Sequence, residues 1–221
     1  MQELINDFQL NDVQINKFNI YKEYLEEKNK VMNLTSITGK DIYIKHFYDS
    51  LLLFNINPNI DELMDVGTGA GFPGVPYAIV NDNTKVLLVE PIKKRCIFLE
   101  ELTSKLELNN TEIINERAEN LTQKVNYATC RAVSKLNILL ELIIPRLNIN
   151  GIFYALKGSN YKEELDESFN ALKVLGAEIE HIYHFSLPNN MGERVIISFK
   201  KIKETDKKYP RRYQNIVKKP L

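Results

Sequence analysis

At residues 65–74 the chain reads DVGTGAGFPG, and these four glycines constrain the fold more than any other stretch. Residues 62–66 in front of them are mostly apolar and predict a short strand. Residues 75–80 behind them predict a helix, with Pro73 or Pro76 tolerated in a first turn whose N–H groups have no intrahelical partner. Strand, glycine loop and helix start form the opening unit of a doubly wound α/β sheet, in which a ligand lies beyond the carboxyl ends of the strands. An ordinary strand-to-helix turn needs one glycine. Gly67, Gly69 and Gly71 together predict tight turns and a ligand in close approach to bare backbone.

Strands and helices keep alternating downstream. KVLLVE at 85–90 predicts a strand, residues 92–108 a helix with Cys96, Leu99, Leu102 and Leu106 on one face, and residues 111–115 a strand. Residues 127–133, 135–147, 151–156 and 161–175 then predict strand, helix, strand and helix. Such alternation means a mostly parallel sheet covered on both faces. The ending differs, because 178–187 and 193–200 are β-rich and separated only by PNNMG, which predicts a hairpin and one antiparallel strand. Upstream of the glycines, Ile15, Phe18, Tyr21 and Leu25, then Ile42, Phe47, Leu51 and Phe54, predict two amphipathic helices joined by residues 33–39. The expected plan is a helical extension over 1–58, a sheet domain over 59–203 and a tail over 204–221.

With 221 residues and 44% hydrophobic content, the chain can bury a full core. Charges balance overall, but residues 200–221 carry nine Lys or Arg against Glu204 and Asp206, so a basic tail follows an acidic body. A tail of this kind is either simply solvated or a contact for a polyanion, though Tyr209, Pro210, Tyr213 and Ile216 could pin it to the body. Cys96 and Cys130 give neither a metal spacing nor a disulfide framework, and no metal is expected. MQELINDFQL at the start lacks the basic and apolar regions of a signal peptide, and the most apolar helix, near 138–144, is too short to span a bilayer. The expectation is a cytoplasmic monomer with no membrane partner.

Two ligand classes fit the loop. Gly69-Ala-Gly71-Phe-Pro-Gly74 matches the dinucleotide pattern G-x-G-x-x-G, and Glu90, at the end of the second strand, stands where an acid can hold ribose hydroxyls. Asp65, however, adjoins the loop and would repel a pyrophosphate, whereas it suits a ligand bearing an ammonium and a sulfonium. Together with the terminal hairpin, which resembles the seventh-strand reversal of the class I methyltransferase sheet, this favours S-adenosyl-L-methionine, and the resemblance implies that fold: Rossmann-like, α/β, with a seven-stranded mostly parallel sheet.

The stretches NLTSIT (33–38), YIKHFYDSL (43–51), DVGTGAGFPG (65–74), KKRCIFL (93–99), RAEN (117–120), CRAVSKL (130–136), ALKG (155–158) and GERVIISFKK (192–201) resemble the successive motifs of the bacterial RsmG (GidB) family. The resemblance runs in order over roughly residues 30–203. It implies methylation of guanine N7 in the decoding region of 16S ribosomal RNA, free or in the small subunit, with S-adenosyl-L-methionine as donor. It also implies cofactor contacts at Gly67, Phe72, Ala118, Glu119 and Arg131. The chain departs from the family at YQNIV, between YPRR and KKPL, where a Gly-Thr-Pro turn is commoner.

The residues agree with that chemistry. Guanine N7 has an available lone pair and no proton to lose, so transfer needs placement and dryness and no general base. The Asp/Asn-Pro-Pro-aromatic tetrad of amino methyltransferases is absent after the fourth strand, where TCRAVSK stands. Cys130 is either a nucleophile for C5-pyrimidine chemistry or, as is commoner for a cysteine at a strand end, a small buried residue. Arg131 is either a ligand contact or half of a structural ion pair with Asp65 or Glu119. His46 and Asp49, three apart, share a helical face that either lines the guanine pocket, with Asp49 offsetting the charge created on N7, or is a hydrogen-bonded helix near the sheet edge. Lys93, Lys94, Arg95, Lys157, Lys207, Lys208, Arg211 and Arg212 are the candidate RNA contacts. Three other functions share part of these features: a nicotinamide oxidoreductase, a small-molecule methyltransferase and a non-catalytic RNA-binding module.

Overall fold

A computed structural model describes residues 1–131 and 134–221. Its elements are α1 (Gln2–Phe8), α2 (Asp12–Met32), a π-helical segment (Tyr43–Tyr48) running into α3 (Asp49–Ile56), β1 (Glu62–Val66), α4 (Gly74–Val80), β2 (Lys85–Val89), α5 (Lys93–Lys105) and β3 (Thr111–Ile114). A 3-10 turn (Ala118–Asn120), β4 (Val125–Arg131), α6 (Leu136–Ile143), β5 (Leu147–Lys157), α7 (Tyr161–Asp166), α8 (Phe169–Leu175), β6 (Ala177–Ser186), β7 (Glu193–Lys201) and α9 (Tyr213–Lys218) follow. The last two residues of the strand expected at 127–133 lie outside the described residues.

Seven strands form one sheet in the order β3-β2-β1-β4-β5-β7-β6. The pairs from β3 through β5 are parallel; β7 runs antiparallel to both β5 and β6. Strand order reverses between β1 and β4, which opens a crevice above their carboxyl ends. Because β7 runs the other way, its first residues reach the same edge as the last residues of β5, with Lys157 opposite Val195.

Period-two alternation divides the sheet's side chains between two cores. Leu63, Val86 and Leu88 face one cluster, which also holds Phe18, Tyr21 and Leu25 of α2 and Phe47 and Leu51 after it. Met64, Val66, Leu87 and Val89 face the other, which α6, α7 and α8 cover. The N-terminal helices therefore share a hydrophobic core with the sheet, and each fully buried aromatic or leucine there contributes roughly 2 kcal/mol. Cys130 lies in the second cluster, 1% exposed, which removes it as a C5 nucleophile.

Several expectations are corrected in detail. A first helix, α1, precedes the two that periodicity predicts. A capping box starts α2, with Asn11 Oδ1 accepting from the Gln14 amide and Gln14 Oε1 from the Asn11 amide, and Asn33 closes it in the left-handed region. Residues 161–175 form two helices because the buried Ser168 hydroxyl donates to the Glu164 carbonyl at the break, a local bond that competes with helix continuation. The tail is docked, Ile216 being fully buried, and Arg211 Nε and Nη2 donate to Glu141 of α6 at 2.7 and 2.5 Å.

Candidate active site

The loop after β1 begins as a continuation of the sheet, with the amides of Gly67 and Thr68 both donating to the Val89 carbonyl. It then turns through Gly67, Gly69 and Gly71, all at positive φ. The Gly69 amide donates to Glu90 Oε2 at 3.1 Å, and the Ile92 amide to Glu90 Oε1 at 2.9 Å. Glu90, 1% exposed, thus ties the glycine loop to the start of α5 while facing the crevice. Gly69 has open space where a side chain would project, its nearest neighbour being the Gly67 carbonyl at 3.9 Å.

Two of the expected cofactor residues do other work. A Cβ on Gly71 would meet Tyr21 Oη and Val75 Cγ2, each at 2.7 Å, so this glycine admits α2 and α4 and not a ligand. Asp65 is fully buried on the α4 side, where Oδ2 accepts from the Gly74 amide at 2.8 Å. It lines none of the three cavities of the crevice, so, contrary to expectation, it neither meets a sulfonium nor repels a pyrophosphate. Burial pushes its carboxyl up to about 6, against the Thr68 hydroxyl and the Gly74 amide.

The three cavities adjoin one another. One of about 390 Å³ is walled by Gly67, Gly69, Phe72, Glu90, Arg95 and Arg131. It shares Gly67, Pro91 and Ile92 with a mostly apolar recess of about 310 Å³ that Ala118, Glu119 and Leu142 complete. On the other side it shares His46 and Arg131 with a larger cavity of about 570 Å³, lined also by Asp49, Lys157, Glu164 and Arg194. The topology thus brings candidates from separate motifs, among them Asp49, Phe72, Glu90, Ala118, Arg131 and Lys157, to one edge.

Arg131, at the end of β4, is the junction. Its Nη1 donates to Asp49 Oδ2 at 3.0 Å and its Nη2 lies 3.0 Å from His46 Nδ1, while its guanidinium sits 4.8 Å from the centre of the Phe72 ring. The structural partner expected for it, Asp65 or Glu119, is thus replaced by Asp49. His46 stacks on Phe72 at 4.4 Å, and its Nε2 lies 2.7 Å from the Thr35 hydroxyl. A guanidinium only donates, so Nδ1 accepts and Nε2 carries the proton. Burial and the Arg131 charge hold the imidazole neutral, with its pKa down to about 3. His46 accordingly has no free basic nitrogen.

Asp49 is also ion-paired, through its other oxygen, with Arg194 Nε at 3.1 Å. Its charge is divided between two arginines, which corrects the expectation that it is free to offset charge on a modified base. Lys157 is buried, pairs with Glu164 at 2.7 Å and donates to the Ser134 carbonyl, so it faces the large cavity and not a solvated phosphate. Lys93, Lys94, Lys207, Lys208 and Arg212 are exposed. Arg211 is engaged by Glu141 and leaves the set of free phosphate contacts.

A family model described as GidB, rRNA small subunit methyltransferase G, matches residues 14–194. The chain belongs to this methyltransferase family. Relatives named ribosomal RNA small subunit methyltransferase G include those of Bacillus velezensis, 42% identical over 96% of this chain and 92% of the relative, and Bacillus subtilis, 41% identical over 94% and 91%. Among solved structures, a SAM-dependent O-methyltransferase from Thermotoga maritima shares the fold, with a TM-score of 0.56 at 17% identity over 83% of this chain and 73% of that one. TYW2 of M. jannaschii, solved with AdoMet, has a TM-score of 0.55 at 15% identity over 71% and 76%. In this member of the rRNA small subunit methyltransferase G family, the site residues that motif reading passed over are Thr35, Arg194, Glu164 and Tyr213. Arg194 was legible in principle, since a reversed final strand delivers its first residues, GERV, to the ligand edge.

Proposed function

We propose that this chain transfers a methyl group from S-adenosyl-L-methionine to N7 of a guanine in 16S ribosomal RNA, acting as a cytoplasmic monomer on the RNA or the small subunit. The observation that carries the reading is continuity: His46 and Arg131 wall both the glycine-loop cavity and the larger one, so donor and acceptor would meet across them. The donor fits the residues present, because Gly69 leaves room beside its backbone, Glu90 has lone pairs beyond those its two amides use, and the recess beside Ala118 suits a flat apolar base. When bound, it supplies an electrophilic methyl on a sulfonium.

Gly67, Gly69, Phe72 and Glu90 would hold that donor, with Ala118 and Glu119 at its base. Arg131 fixes the boundary between donor and acceptor through Phe72, His46 and Asp49. Asp49 positions Arg131 and Arg194 together. The neutral, doubly bonded His46 removes no proton, which suits an acceptor nitrogen that has none to give. The charged side chains of the large cavity, Lys45, Arg131, Lys157 and Arg194 against Asp49 and Glu164, leave it positive and favour a polyanionic substrate. Lys93, Lys94, Lys207, Lys208 and Arg212 would contact phosphates further out.

The test is mass spectrometry of nuclease-digested 16S RNA from cells with and without the gene. One 7-methylguanosine should vanish with the gene and return with the intact chain, but not with Arg131→Ala. An unchanged 7-methylguanosine content would overturn the reading.

A further inference from the structure

Tyr213 walls the apolar recess that Ala118, Glu119 and Leu142 otherwise form, although it belongs to the C-terminal tail and lies about 70 residues beyond the nearest of them in sequence. It stands in the YQNIV segment in which the chain departs from the family pattern. We propose that Tyr213 is a cofactor-contacting residue, and that the tail is a structural part of the site that receives the adenine of S-adenosyl-L-methionine. The inference rests on the assignment of the glycine-loop crevice to that cofactor.

The tail is held in a way that fixes Tyr213. Glu141, fully buried in α6, accepts from the Arg211 backbone amide at 3.0 Å as well as from its guanidinium at 2.7 and 2.5 Å. A buried carboxylate of this kind needs its partner, because losing the partner strands a charge in the core. Arg211 Nη2 also donates to the Lys219 carbonyl, which closes α9 back upon the anchor. Ile216, one turn along α9 from Tyr213, is fully buried in the same cluster as Leu139, Leu140 and Leu142. Leu142 adjoins Glu141 and lines the recess itself, so neighbouring residues of α6 grip the tail and floor the cavity.

A phenol ring on an apolar wall offers a face that any purine accepts, and an aromatic–base contact is worth roughly tenfold in affinity or more. The tail also carries exposed Lys207, Lys208, Arg212, Lys218 and Lys219. RNA bound to those cations would keep the tail seated, so RNA and cofactor should each tighten the other's binding.

The test is calorimetric titration of the full chain with S-adenosylhomocysteine and, separately, with adenosine. Tyr213→Ala should weaken both by about tenfold, whereas Tyr213→Phe, which keeps the ring, should stay within about twofold. Equal affinity of Tyr213→Ala and wild type for both ligands would overturn the inference. Gly69→Arg separates this from the underlying assignment: if it fails to abolish S-adenosylhomocysteine binding, the crevice itself is misassigned. Hydrogen exchange on the unaltered chain gives a readout that needs no variant. Amides of residues 213–218 should gain protection on adding S-adenosylhomocysteine, and unchanged exchange there would count against the tail.

Discussion

Gly69 and Gly71 are two residues apart in one loop, yet alanine at each should fail for a different reason. At Gly69, φ is +61 and the projected Cβ meets nothing closer than 3.9 Å. The cost is that of one L-residue in the left-handed region, roughly 1 kcal/mol. At Gly71, φ is +97 and Cβ would lie 2.7 Å from both Tyr21 Oη and Val75 Cγ2 and 3.3 Å from Leu99 Cδ2. Overpacking of a tight site adds roughly 1–3 kcal/mol to the backbone cost, for a total of about 2–4 kcal/mol. With about 2–4 °C lost per kcal/mol in a chain of this size, Gly71→Ala should lower Tm by roughly 10 °C and Gly69→Ala by about 3 °C. Ligand affinity should rank the opposite way, with S-adenosylhomocysteine binding hit harder per degree of Tm lost in Gly69→Ala, since its new methyl points into the crevice. Thermal denaturation by circular dichroism and calorimetric titration measure the two effects. Tyr21 Oη also donates to the Ala70 carbonyl at 2.5 Å, so Tyr21→Phe should cost stability by itself but less in the Gly71→Ala background, where it removes one of the two atoms at 2.7 Å. Equal Tm losses at the two glycines, or strictly additive losses in the double variant, would refute the division of labour.

Arg131→Ala should reduce methyl transfer at least a hundredfold while lowering stability little beyond the loss of one ion pair, since Asp49 keeps Arg194; single-turnover kinetics alongside denaturant titration would check this. Burial keeps the His46 imidazole at about 3, below its unfolded value, so the unfolded chain takes a proton that the folded one refuses and stability falls as pH drops below about 6.5. Asp65, raised to about 6, acts the other way, since its contribution is present at low pH and is lost as pH rises from about 4 to 6. His46→Gln should therefore reduce the stability lost between pH 7.5 and 5.5 by about 1 kcal/mol, read from urea melts. Arg211→Ala should destabilise by about 3 kcal/mol through the stranded Glu141 carboxylate, and Glu141→Gln in the same chain should recover part of that loss. Changing Lys207, Lys208 and Arg212 together to Ala should flatten the slope of RNA affinity against salt, on logarithmic axes, by up to about 0.7–0.9 for each phosphate left unneutralised, with S-adenosylhomocysteine affinity reduced far less.

What the chain revealed before folding was whatever is written locally. β1, the glycine loop and β2 follow from apolar runs ended by glycine or acid, and the final hairpin follows from two β-rich runs with no helix between them. Asp65 shows the limit, because proximity in sequence suggested a ligand whereas strand parity decides its direction. It lies on the same face as Leu63, whose neighbours are the helices, and that alternation was available as a signal. The break between α7 and α8 depends on one buried hydroxyl, Ser168, whose role no periodicity announces. Arg211 and Tyr213 read as parts of a basic tail because their partners, Glu141 and the recess wall, lie about 70 or more residues away in the chain. The apolar residues of the tail hint that it docks, but nothing local says against what.

The π-helical segment Tyr43–Tyr48 holds one more residue per turn than an ordinary helix would, and it ends where His46 and Asp49 present themselves to Arg131. Deleting a single residue from it would let regular i to i−4 bonding resume, leaving the flanking helices nearly in place but changing the angle at which His46 and Asp49 leave the axis. Either the imidazole or the carboxylate would then turn away from the guanidinium. Natural variation in this stretch is therefore expected to exchange side chains freely at solvent positions while tolerating no change in its length.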